Sequence, residues 1–178
     1  MILKIELYGA PVLRQKTKPV KEFTPEIKKL IKDMVETVDS SPNNIGLAAN
    51  QVGGLWRILI IKPLYKNEKG EYLVGESEVY VNPELSDPAD ELETSTEGCL
   101  SFPGLFIDVE RPTGITVKAL NEKGESFKAK LTGFKARQVM HENDHLNGVL
   151  YIDRIKDKEY RKRLEPYLKK IKQRAKNS

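Results

Sequence analysis

The chain is poor in the residues that hold metals and close disulfides: its 178 residues include one cysteine and two histidines. A lone Cys99 cannot form an intrachain disulfide, so nothing asks for an oxidising compartment. No apolar run approaches the ~18 residues that a membrane span requires. The opening stretch, MILKIELYGAPVLR, is too briefly apolar for a secretory signal. The expectation is a cytoplasmic chain with no disulfide and no membrane partner. Internal repeats and low-complexity tracts are absent as well. What is present, 39% apolar and 31% charged residues, suits one globular domain with a real core.

The net charge of +4 is unevenly placed. Residues 154–178 carry eleven Lys or Arg against Asp157, Glu159 and Glu165, a net of +8, which leaves −4 for the other residues. A mildly acidic body therefore ends in a strongly basic tail. That charge makes phosphate-rich RNA a candidate partner, against the alternative that it only aids solubility.

Thr24-Pro25-Glu26 reads as a helix start, with a capping hydroxyl, a first-turn proline and an early acid. Ile27, Leu30, Ile31, Met34 and Val38 continue it until Ser40-Ser41-Pro42. Leu55–Ile61 reads as a buried strand and Val79–Asn82 as a second, with a hairpin between them marked by Gly70 and Gly75. Residues 83–97 read as acidic, irregular surface. ITVKAL (115–120) and SFKAKL (126–131) alternate around a turn, as hairpin strands do. A helical pattern runs from Phe134 through Ala136, Val139, Met140 and Leu146 to Asn147-Gly148, where glycine suits a C-terminal cap. A final amphipathic segment aligns Tyr160, Leu164, Tyr167, Leu168 and Ile171, and Pro166 predicts a kink or two pieces. The class is α+β: short antiparallel strands and hairpins around a central helix, with a helix near each end.

Both histidines fall in MHENDHLNG, residues 140–148. His141 and His145 share one helical face, and Glu142 sits between them. H-E-x-x-H on a helix holds one metal ion and gives a carboxylate reach to the water on it, although His and Glu are also ordinary helix-surface residues. Catalytic sites of this kind use three protein ligands. The extended metzincin pattern needs a third His where Tyr151 stands, and the chain has none to offer. Glu165 lies far enough downstream for a thermolysin-like metallopeptidase, in a Lys/Arg-rich surface setting. Cys99, beside Gly98, supplies a thiolate, and a Cys/His/His site would use the whole supply of both residue types. This third choice is preferred.

In these stretches the chain resembles the peptide deformylase family. Its three motifs are matched by Asn44-Ile45-Gly46-Leu47-Ala48-Ala49-Asn50-Gln51, by Glu97-Gly98-Cys99-Leu100-Ser101 and by His141-Glu142-Asn143-Asp144-His145. The resemblance runs from Gly9-Ala10-Pro11-Val12-Leu13-Arg14 to Tyr151-Ile152-Asp153. Two positions depart from it: Asn44 replaces a glycine, as a side chain that tolerates left-handed backbone, and Met140 replaces glutamine.

The resemblance implies a catalytic domain over residues 1–153 with 154–178 as its basic helical tail. It also implies a hydrolase that removes the formyl group from N-formylmethionine at the start of newly made polypeptides. One divalent ion, Fe²⁺ in first place with Ni²⁺, Co²⁺ or Zn²⁺ as substitutes, would be held by Cys99, His141 and His145. Glu142 would act as general acid and base. The Gln51 amide and Leu100 N–H would receive the oxyanion, and Ile45, Gly46 and Gly98 would border the substrate. Asp144 is a candidate second partner for a ligand histidine. The remaining alternative is a non-catalytic nucleic-acid-binding relative, suggested by the basic tail, Asn44 and Met140.

Overall fold

A computed structural model describes residues 1–178. Helix α1 (Pro25–Asp39) starts as its sequence predicts, with Thr24 Oγ1 accepting from Ile27 N–H. The main sheet has five antiparallel strands in the order β1 (Gly46–Ala48), β2 (Ile58–Ile61), β5 (Glu78–Ser86), β8 (Gly114–Leu120) and β9 (Ser126–Thr132). Between β2 and β5, the short strands β3 (Leu64–Lys66) and β4 (Tyr72–Val74) pair as a separate hairpin. Gly70 takes φ 78° in its turn, and Gly75 N–H bonds the Pro63 carbonyl at its base. Strands β6 (Leu92–Glu97) and β7 (Ile107–Pro112) form another two-stranded ribbon.

The unbroken apolar run of β2 follows from burial on both faces. Ile58 and Ile60 pack with Ile27, Ile31, Met34 and Val38 of α1. Leu59 and Ile61 pack on the opposite side with Ala136, Val139, Met140 and Leu146 of α2 (Gly133–Leu146). The strand begins at Ile58 rather than Leu55, because Trp56 is partly exposed and makes only an isolated bridge to Lys18.

Residues 83–97 are mostly strand, and only 87–91 are irregular. β5 runs on through Ser86, and Leu92–Glu97 is all strand. Two features disguise this. Asn82 has φ 52° and the β5–β8 register shifts between Val81 and Glu84, a bulge that accommodates Pro83. In β6 only Glu97 is buried, so no apolar alternation marks the strand.

The tail divides at Leu164 into α3 (Lys158–Arg163) and α4 (Glu165–Lys176), with Pro166 in the first turn of α4, where its missing N–H costs nothing. Leu164, Leu168 and Ile171 join Leu13, Phe102, Ile107, Val109, Leu150 and Tyr151 in a third apolar cluster. Tyr167 does not: it is exposed, at the margin of the stripe, where its hydroxyl stays solvated. No helix is long and apolar enough to cross a membrane.

Candidate metal centre and active site

Helix α2 brings His141 and His145 to one face with ring centroids 5.1 Å apart. Cys99 lies one residue past the end of β6, after Gly98, and its Sγ lies 3.3 Å from His145 Nε2. One ligand atom from each of Cys99, His141 and His145 lies within 4.8 Å of the others. A thiolate with two imidazoles is a soft to borderline donor set. It suits Fe²⁺, Co²⁺, Ni²⁺ or Zn²⁺ and not Mg²⁺ or Ca²⁺. Glu165 is elsewhere: it is exposed, and its carboxylate accepts from Arg161 at 2.9 Å. Tyr151 is buried, donates its hydroxyl to the Leu105 carbonyl, and sets its ring edge-on to His141.

Glu142 is buried in the same helix, and its Oε2 has no hydrogen-bond partner. Burial pushes its carboxyl up to about 7, with the nearby His141 charge acting in the opposite direction. A Cβ at position 46 would collide with the Glu142 carboxylate, so glycine there lets the β1 backbone approach it closely. Burial holds His145 well below the ordinary histidine value, reinforced by the charge of His141. In His141 burial acts the same way but is outweighed by hydrogen bonds to Cys99 and Glu97, which raise it.

Gln51 stands beside Cys99 in a fixed orientation. Its Oε1 accepts from Ala48 N–H at 2.8 Å, so its Nε2 faces Ser101 Oγ (3.1 Å) and Cys99 Sγ (3.5 Å). Ile45, Gly46, Gly98, Leu100 and Phe106 line a cleft of about 420 Å³ that reaches Cys99 and Glu142. A smaller hollow of about 220 Å³, bordered by Phe134, Gln138 and His141, opens from the same residues. The Phe106 ring lies over Gly98, where a side chain would meet it.

Asp144 does not touch a histidine. The carboxylate on His141 belongs to Glu97, whose Oε1 lies 2.7 Å from His141 Nδ1. Arg111 forks onto Glu97 at 2.6 and 2.9 Å, Arg137 adds a 2.8 Å bond, and Asp144 instead joins Arg111 to Arg154. Burial alone would raise the Glu97 carboxyl, but the hydrogen bonds and charges of His141 and Arg111 outweigh it and hold the group well below the usual carboxylate range. Asn50 Nδ2 ties this helix to motif one by donating to the His145 carbonyl.

The sequence pattern of the family described as Polypeptide deformylase matches residues 2–161. The chain belongs to that family. A peptide deformylase of Pseudothermotoga lettingae is 42% identical over 155 residues, covering 87% of this chain and 84% of its own. The crystal structure of peptide deformylase from Ehrlichia chaffeensis superposes with TM-score 0.86 at 32% identity, covering 99% of this chain and 98% of that one. The same Ehrlichia protein in complex with actinonin gives TM-score 0.84 at 33% identity over 97% of both chains.

The two departures from the deformylase motifs have local explanations. Asn44 is not left-handed. Its Nδ2 donates to the Thr37 carbonyl at 3.0 Å, closing the C-terminal turn of α1. Met140 faces away from the donor atoms into the apolar cluster between α2 and the sheet, a place where an unbranched thioether packs readily.

Proposed function

We propose that this chain hydrolyses the N-formyl group from the N-terminal methionine of newly synthesised polypeptides, releasing formate, with one divalent metal ion as cofactor. The observation that carries the proposal is the Cys99/His141/His145 donor set with the buried Glu142 carboxylate beside it. A bound divalent ion, Fe²⁺ in first place and Ni²⁺, Co²⁺ or Zn²⁺ as substitutes, would polarise the formyl carbonyl and acidify a water at the site. Glu142 takes the proton from the attacking water and passes it to the leaving amine as the C–N bond breaks. The Gln51 amide and the Leu100 N–H donate to the oxygen that gains charge, each worth about 3 kcal/mol of barrier. Ile45, Gly46 and Gly98 border the substrate in the cleft, where close backbone approach is open.

In this reading residues 1–153 carry the chemistry and the tail from 154 to 178 completes the third core cluster. Its outer face meets ribosomal RNA in the cytoplasm, where formylated chains emerge. A metallopeptidase using Glu165 gains no support from an exposed carboxylate paired with Arg161.

The test is formate release from a formyl-Met peptide, compared with its acetyl-Met analogue, in anaerobic buffer with Fe²⁺ or Ni²⁺. Turnover of the formyl peptide alone is expected, and inhibition by actinonin, the ligand of the Ehrlichia relative, should accompany it. Glu142→Ala should keep its metal and lose about 10²–10⁴-fold in turnover, whereas Cys99→Ser should lose the metal. Full metal content in Cys99→Ser, or equal turnover of the acetyl peptide, would refute the proposal.

A further inference from the structure

Arg154, the first residue of the basic tail, is joined to His141 by an unbroken line of charge-assisted hydrogen bonds. Its Nε and Nη2 grip Asp144 at 2.7 and 2.6 Å. Asp144 accepts from Arg111 at 2.9 Å. Arg111 forks onto Glu97, and Glu97 meets His141 Nδ1. Every member between the two ends is under a tenth exposed, so the bonds within the line are shielded from water, while the Arg154 side chain at its outer end is partly exposed.

We propose that Arg154 is a positioning residue for the metal centre, acting through Asp144, Arg111 and Glu97 on the orientation of His141. Arg111 is shared between Glu97 and Asp144. Asp144 is bound by three N–H groups, two of them from Arg154 and one from Arg111. Without Arg154, the buried Asp144 has Arg111 as its one remaining cation and draws it away from Glu97. A slackened fork on Glu97 frees the carboxylate that fixes the His141 ring and tautomer. Shared Arg111 thus makes an ion pair at the root of the tail felt at the ligand.

Simple electrostatics gives the opposite sign. Removing a cation near the site should make a divalent ion bind more tightly, whereas the shared-arginine line makes it bind more weakly. A purely structural role is separable too. Arg14 forks onto Asp153 and reaches the Gly148 carbonyl, anchoring the same Tyr151–Arg154 turn without entering the line of bonds.

The inference rests on the Cys/His/His metal reading, and Co²⁺ loaded into the folded full-length chain tests both. Wild type should bind one Co²⁺ with a thiolate charge-transfer band that Cys99→Ser abolishes. Arg154→Ala should release Co²⁺ to a chelator about tenfold faster, the lower end of the range for outer partners of a ligand, and shift the visible spectrum. Its kcat should fall with KM unchanged. Arg154→Lys, which keeps one charged contact but not the fork, should recover part of the retention. Arg14→Ala should lower stability and leave the spectrum and release rate alone. Unchanged or slower release from Arg154→Ala, or equal effects of Arg14→Ala, would overturn the role of Arg154 while leaving the metal reading standing. A wild-type chain that binds no Co²⁺ would overturn both.

Discussion

Charged side chains serve two different ends in this chain, one around α2 and one on the tail. Around α2, Glu97, Arg111, Arg137 and Asp144 are buried, and each is bonded to an opposite charge. On α3 and α4, Lys162, Lys169, Lys170, Arg174 and Lys176 are exposed, and the ion pairs within the tail are Arg161–Glu165 and a loose Lys162–Glu159 at 3.8 Å. Burial is costly for a charge and is offset by geometry, because each partner fixes the next. Exposure costs little, and such charges act together as a field more than as contacts. The interior set therefore defines positions to within a bond length, while the tail set defines only a sign.

The sharpest way to break this comparison is Arg111→Ala. It leaves Glu97 and Asp144 buried with half their cations gone, a loss of about 3–5 kcal/mol, measurable by urea denaturation of the metal-free protein. The pH dependence has a definite sign. Glu97 is depressed in the fold, so its contribution is fully present above the unfolded carboxylate pKa, falls as pH drops below it, and is gone once pH has passed through the lower folded value. Wild type should therefore lose stability progressively as pH falls from the ordinary carboxylate pKa toward the lower folded value. Arg111→Ala, with Glu97 less depressed, has less of that contribution to lose, so its stability should fall less between neutral and acid pH than that of wild type. An acid loss equal to wild type's would show that Arg111 is not what holds Glu97 down.

The sequence disclosed this region only in part. His141, His145 and Cys99 were legible because scarcity singles them out and helical spacing pairs two of them. Glu97 was hidden in an acidic stretch, since a carboxylate that orients a ligand histidine is the same residue type as a solvated one. Arg111 did leave a signal. It follows Ile107 and Val109 at a period of two, on the inward face of β7, and that spacing marks it as buried only once β7 is recognised as a strand. The line from Arg154 to His141 crosses long intervals of sequence, and no local pattern encodes such a route. In the tail the helix break at Pro166 and most of the apolar stripe were legible, because both rest on local chemistry.

Within α4 the comparison can be made between neighbours. Leu168 is 1% exposed in the third core cluster, and Lys169 points to solvent. Leu168→Ala should cost about 2–5 kcal/mol, depending on how far the cluster collapses. Lys169→Ala should stay within about 0.5 kcal/mol. Similar losses at both positions in a denaturant titration would mean that the tail is held by its charges and not by its stripe.

The smallest structural effect and the most specific functional one are expected from the outer face of the tail. Cutting the chain before Leu164 is a poor probe, because it removes Leu164, Leu168 and Ile171 from the core and confounds binding with unfolding. Replacing Lys162, Lys169, Lys170 and Lys176 together by Gln removes charge and keeps the stripe. Each exposed site should cost little stability, and turnover of a short formyl peptide should be unchanged, since none of the four lines the cleft. Binding to RNA differs, because each phosphate neutralised by a lysine releases counterions, and affinity then falls steeply with salt. The variant should sediment less with ribosomes at low salt, and its log affinity should fall less steeply with log salt, by ~0.7–0.9 of slope for each phosphate that is no longer neutralised. Holding the enzyme where formylated chains emerge would raise their effective concentration, so processing of ribosome-bound chains should slow while the free peptide is cleaved as before. If co-sedimentation and its salt slope match those of wild type, the basic face serves solubility alone.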